Sequence, residues 1–190
     1  MSAPHKVGYV VGSLSSTSIN RLLAQALVRL APPELGMTEI VFRDLPPYSQ
    51  DHDADYPPVA RAFKQAIAEC DALLLVTPEY NRSIPGALKN AIDWGSRPYG
   101  QNVFTGKPTG VIGTSPGAIG TAVGQQALRA VLNFCNAPQM TSPEAYIQFT
   151  PELIRADGDV MVESTRNFLR NYMQEFHAFI SRQRAAPPRA

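Results

Sequence analysis

Between Ser13 and Asn20 the chain places five hydroxyls and one carboxamide within eight residues: Ser13, Ser15, Ser16, Thr17, Ser18 and Asn20. They follow a nearly continuous apolar run, Val7 to Val11, and precede a helical stripe that begins at Ile19. A helix start carries unpaired N–H groups and partial positive charge, so this is a place where a phosphate can bind. The spacing is not Gly-x-Gly-x-x-Gly, and there is no P-loop. The nearest imitation, Gly106-Lys107, has five residues rather than four after Gly100 and is followed by Pro108. A monophosphate held by hydroxyls and amides fits the loop. A helix cap with spare serines is the other reading, although one or two hydroxyls suffice for a cap.

A second loop, Thr77 to Gly86, follows the most strand-like run in the chain and is stiffened by Pro78 and Pro85. Its N–H groups could hydrogen-bond the edge of a flat heterocycle. A third, Thr114 to Gly120, has glycines at 113, 117 and 120, and taken alone it reads as a plain turn.

These loops need a frame. Short apolar runs at Val7–Val11, Ile40–Phe42, Ala72–Val76, Gly110–Gly113 and Tyr146–Phe149 predict strands. Helical stripes separate them: Ile19 to Leu30, Val59 to Cys70, Pro85 to Gly95 and Ala118 to Asn133, with a last helix marked by Phe168 to Ile180. Strands buried on both faces read as continuous apolar runs, and helical crossovers join parallel strands. The pattern predicts an α/β fold with an open five-stranded parallel sheet and helices on both faces. Periodicity leaves the strand order open. Either doubly wound order gathers ligands at the carboxyl ends of the strands, where the three loops lie. The chain reads as one domain over 1–184 with a frayed tail at 185–190.

Seventeen basic residues against sixteen acidic ones give a net charge of +1. That balance does not suit a nucleic-acid partner, which demands a clustered basic face. No stretch reaches membrane-spanning length, and the start reads as a first strand rather than a signal peptide. The expected location is cytoplasmic, with Cys70 and Cys135 as free buried thiols. Asp51, Asp53 and Asp55 imitate a calcium loop, but Tyr56 and Ala62 stand where glycine and glutamate belong. The three histidines have no metal-ligand spacing, and no metal is expected. Trp94 reads as core or subunit contact. Tyr99 and Phe104 read equally as pocket walls or loop anchors.

The stretch Gly12-Ser13-Leu14 through Ser18 and Asn20, with PEYNRSIPGALKNAIDW at 78–94, resembles the NADPH-dependent FMN reductase family, whose members include chromate, quinone and azo-dye reductases. The resemblance runs from the first strand to the last helix. It implies a flavodoxin-like three-layer sandwich with bound FMN. It also implies a homodimer or homotetramer built partly on the helix after the second motif. Carried over by position, the phosphate contacts fall on Ser13, Ser15, Ser18, the Ile19 backbone and Asn20. The isoalloxazine contacts fall on Pro78, Glu79, Tyr80, Asn81 and Arg82, mostly through backbone, with Ser115 and Gly117 over the pyrimidine side. Many relatives carry arginine where this chain has Ser15, which leaves Arg21 as a guess for the missing cation.

The resemblance implies an oxidoreductase that passes two electrons by a ping-pong route. They travel from NADPH or NADH through FMN to a small acceptor such as a quinone, free flavin, azo compound or chromate. The cofactor carries the chemistry, so no side chain is named as catalytic. Two other readings stay open: a flavodoxin-like electron carrier and a flavin-free interaction protein. Carriers dock by a one-signed field, which the near-neutral balance does not supply.

Overall fold

The structure is a computed structural model that describes residues 3–185. Its elements alternate: β1 (His5–Val11), α1 (Ile19–Leu30), β2 (Leu35–Glu39), α2 (Pro58–Ala68), β3 (Ala72–Val76), α3 (Gly86–Ser96), β4 (Thr109–Ser115), α4 (Ala122–Phe134), β5 (Tyr146–Gln148) and α5 (Glu163–Ala185). All strand pairs are parallel, in the order β2-β1-β3-β4-β5. Of the expected tail, Ala185 is the last residue of α5, and 186–190 lie outside the described residues.

β3 shows why the fold is layered. Its residues ALLLV are all buried, and successive side chains point to opposite faces. Leu74 and Val76 join α1 and α5 in one core, with Leu23, Leu27, Tyr172 and Phe176. Leu73 and Leu75 join α2, α3 and α4 in the other, with Phe63, Leu88, Trp94 and Leu128. The central strand therefore needs no polar face, and a run of four aliphatics after Ala72 meets that need.

Two of the differences from the expected boundaries have a clear physical cause. The second strand is Leu35–Glu39, not Ile40–Phe42. It sits at the sheet edge with alternating burial, so its sequence LGMTE shows no apolar run. Ile40 and Phe42 are buried instead as the chain leaves the sheet toward α2. α4 starts at Ala122 rather than Ala118, because Gly120 and Thr121 adopt left-handed backbone with φ of 57° and 73°.

The proline-rich segment between β2 and α2 folds back over the end of α3. Trp94 is fully buried there. Its indole donates to the Pro46 carbonyl at 2.7 Å, and the rings of Tyr48 and Tyr56 meet it edge-on at 5.1 and 4.9 Å. Phe104 is buried in the same layer, whereas Tyr99 is exposed. The three aspartates of the calcium-like stretch point to separate partners: Asp51 to Ser49, Asp53 to Tyr48 and Asp55 to Arg61. Among the described residues no helix is long and apolar enough to cross a membrane.

Candidate functional site

The strand order reverses direction between β1 and β3, and such a switch point opens a crevice at the carboxyl edge of the sheet. The first two loops leave from those two strands, and the third leaves from β4 beside them. Gly12 shows how closely they run. A Cβ there would lie 2.9 Å from the Leu88 side chain in α3 and 3.3 Å from the Pro78 ring, so the first loop runs close against the second. At Gly113 a Cβ would meet the Thr77 carbonyl oxygen at 2.1 Å and the Thr121 hydroxyl at 2.4 Å, which brings the second loop against the start of α4.

The first loop folds on its own hydroxyls. The Ser15 N–H donates to Ser13 Oγ at 3.4 Å, and the Thr17 N–H donates to Ser15 Oγ at 3.2 Å. Ser18 caps α1, its Oγ accepting from the Arg21 N–H at 3.3 Å. The N–H groups of Ile19 and Asn20, in the first turn of α1, have no partner among the described residues. Buried Ser13 and Ser18 flank exposed Ser15, Ser16 and Thr17. A ring of hydroxyls around free amides at a helix start fits a phosphomonoester.

Asn20 has a role that its place in the loop does not reveal. Its side chain is buried and spans to β4: Nδ2 donates to the Thr114 carbonyl at 2.9 Å, and Oδ1 accepts from the Thr114 N–H at 3.0 Å. The carboxamide thus replaces a strand partner at the end of β4 and ties the first loop to the third. Its acceptor and one of its two donors are engaged there.

The second loop turns on two residues. Tyr80 and Ser83 exchange backbone hydrogen bonds of 2.9 Å each way, with Asn81 and Arg82 at φ of 52° and 62° between them. Two consecutive positive φ values make a type I′ turn, which normally favours Asn followed by Gly. Arginine in the second position holds strained backbone. The turn leaves the N–H groups of Asn81 and Arg82 without partners among the described residues.

Glu79 anchors that turn. Its carboxylate Oε2 accepts from the Gly124 N–H at 2.9 Å, and Oε1 accepts from Arg82 at 3.1 Å. Thr121, the N-cap of α4, makes no side-chain cap bond to the helix backbone. A carboxylate from 45 residues away in sequence therefore caps α4 and meets its positive end. The third loop closes on Gly117, whose carbonyl accepts from Ser115 Oγ at 3.2 Å and from the Gly120 N–H at 3.1 Å.

Every residue expected at the site thus lies on one edge of the sheet, in three loops that touch. Sequence reading missed the bridging roles of Thr114 and Gly124, because they act through backbone atoms. Arg21, the guessed cation, is engaged elsewhere: its Nη1 donates to both carboxylate oxygens of Glu39, at 2.8 and 3.0 Å. The two thiols are not activated. Burial pushes both Cys70 and Cys135 up, away from the thiolate form.

A chain-wide comparison agrees with this geometry. The family model for NADPH-dependent FMN reductases matches residues 5–152. A 2-hydroxy-1,4-benzoquinone reductase from a Burkholderia species is 50% identical over 94% of this chain and 98% of that protein. A quinone reductase from Pseudomonas putida is 46% identical over 97% of this chain and 100% of its own length. The solved structure of FerB, a flavoenzyme NAD(P)H:acceptor oxidoreductase from Paracoccus denitrificans, superposes with a TM-score of 0.91. It is 45% identical, and the match covers 94% of this chain and 98% of that one. A Pseudomonas aeruginosa flavodoxin variant, at 19% identity and a TM-score of 0.54, shares the fold alone. The chain belongs to the NADPH-dependent FMN reductase family, an oxidoreductase of flavodoxin-like fold that uses FMN with NAD(P)H as co-substrate.

Proposed function

We propose that this chain takes two electrons from NADPH or NADH and passes them to a quinone-like acceptor, in two half-reactions that use one site in turn. The observation that carries this is the convergence of three loops, the first two with free backbone N–H groups, at the switch point of the sheet. When bound, FMN supplies the hydride chemistry that no side chain here provides. Ser13, Ser15, Ser18, Asn20 and the Ile19 N–H would hold its phosphate. Pro78, Glu79, Tyr80, Asn81 and Arg82 would line the ring, with Ser115 and Gly117 on its pyrimidine side.

The protein's contribution is fixed geometry and fixed dipoles. Amides held by a strained turn and by helix starts need no reorganisation when negative charge develops beside them. The Asn81 and Arg82 N–H groups are placed for that task by the Tyr80–Ser83 turn, and Glu79 keeps the turn in place. A quinone acceptor is supported by the two relatives named above as quinone reductases, which match over nearly their full lengths.

A homodimer or homotetramer in the cytoplasm completes the proposal. Phe134 is 90% exposed and Tyr99 is 93% exposed. They border a groove of about 750 Å³ between α3 and α4, with half-buried Val131 in its wall. A second copy would cover this surface.

The test is an anaerobic absorbance spectrum of the purified protein. A flavin spectrum that bleaches with NADPH alone and returns with benzoquinone is expected, with parallel lines in initial-rate plots. A protein that stays colourless with added FMN overturns the proposal. A flavin that NADPH alone does not bleach points to a one-electron carrier instead.

A further inference from the structure

The first loop offers hydroxyls and amides but no cation of its own, since no lysine or arginine lies between Gly12 and Asn20. Arg21 is held by Glu39. Arg43 is not held in that way. It lies in the turn from Phe42 to Leu45, closed by the Leu45 N–H donating to the Phe42 carbonyl at 3.2 Å. Its Nη2 donates to the Leu14 carbonyl at 2.8 Å, across 29 residues of sequence. It forms no ion pair among the described residues, with neighbouring Asp44 or any other carboxylate. A guanidinium is therefore fixed on the backbone of the first loop, between Ser13 and Ser15 in sequence, with its charge uncompensated.

We propose that Arg43 is a cofactor-binding residue, which supplies the positive charge for the FMN phosphate that the first loop itself lacks. The proposal rests on reading the first loop as the phosphate site. A guanidinium stays charged at any working pH and has five N–H donors, of which the Leu14 bond uses one. Anchoring on a carbonyl removes much of the entropy cost of holding a long side chain. Arg43 is exposed, so its pull on a phosphate is screened by salt and is modest in size.

The experiment titrates the full-length apoprotein with FMN and with riboflavin, following flavin fluorescence at low and high salt. For Arg43→Gln, FMN binding at low salt is expected to weaken by about three- to tenfold, tenfold corresponding to about 1.4 kcal/mol. Riboflavin binding is expected to stay unchanged, and high salt is expected to narrow the FMN difference. Arg43→Lys falls between, and Ser15→Arg added to Arg43→Gln restores FMN affinity. An equal loss for both flavins makes Arg43 a loop anchor only and overturns the proposal, as does an unchanged FMN affinity. A higher KM for NADPH but not NADH, with FMN binding intact, assigns the charge to the 2′-phosphate and overturns it too. If the wild-type protein does not distinguish FMN from riboflavin, the phosphate-loop reading itself fails. If it does and Arg43→Gln distinguishes them equally well, only the role of Arg43 fails.

Discussion

The first and second loops solve one problem in opposite ways. The first holds its shape through bonds between residues two or three apart, Ser13 to Ser15, Ser15 to Thr17 and Ser18 to Arg21. The second holds its shape through a carboxylate bonded to a helix start 45 residues on. Its turn also stores left-handed backbone at a non-glycine residue. Local polar loops cost little and can be altered one hydroxyl at a time. A loop braced at a distance is precise, but it fails as a unit when the brace goes.

Asn20 is where the two designs meet, and its loss has the largest expected effect. Asn20→Leu leaves the N–H and C=O of Thr114 buried without partners. Each orphaned group costs about 1–3 kcal/mol, so a loss of roughly 2–6 kcal/mol is expected in a urea melt. A drop under about 1 kcal/mol means that water replaces the bridge, and the first loop is then not tied to β4 in the way described.

Next comes the brace itself. Glu79→Ala removes the cap of α4 and is expected to cost about 1–2 kcal/mol. Glu79→Gln keeps an acceptor for the Gly124 N–H and is expected to recover most of that. Flavin affinity should fall further with alanine than stability alone explains, since the turn loses its anchor. If glutamine is as damaging as alanine, it is the charge rather than the accepted bond that matters.

The sequence made some of this visible and hid the rest, for physical reasons. β3 was legible because burial on both faces leaves only aliphatics, as in Leu73, Leu74, Leu75 and Val76. β2 was not, since an edge strand is buried on alternate residues and LGMTE lacks a run. The hydroxyls of the first loop could be counted, and five exceed what a cap requires. Glu79 could be named from the resemblance, but not its bond to Gly124, because a backbone N–H has no signature in sequence. Arg43 was hidden for the same reason: its partner is the Leu14 carbonyl. Groups that act through side-chain chemistry in local clusters can be read, and groups that act by reaching distant backbone cannot.

Arg82 sharpens the contrast from the opposite direction. It pays for the turn with φ of 62°, and its ion pair to Glu79 is largely solvent-exposed on the arginine side. Such a pair contributes little, typically under about 1 kcal/mol. Arg82→Gly suits a type I′ turn and is expected to raise stability by about 0.5–1 kcal/mol, even though the pair is lost. Flavin binding should weaken in the same protein, because a looser turn holds its amides less firmly. A variant that is both less stable and unchanged in flavin affinity would show that the turn is not under strain.

The smallest effect belongs to the first loop. Ser15 is exposed, and its hydroxyl bonds only to the equally exposed Thr17, accepting from its N–H and sharing a hydrogen bond of 3.2 Å with its Oγ1. Ser15→Ala is therefore expected to change stability by less than about 0.5 kcal/mol, because water can take over the freed N–H. Ser18→Ala, which uncaps α1, is expected to cost about 1 kcal/mol by the same measurement. FMN affinity separates the two in another way. With Ser15 in the proposed phosphate site, its removal should show mainly as weaker FMN binding with riboflavin unaffected. Equal, large stability losses from both variants would mean that the first loop, like the second, acts as a single braced unit, and the distinction between the loops would collapse.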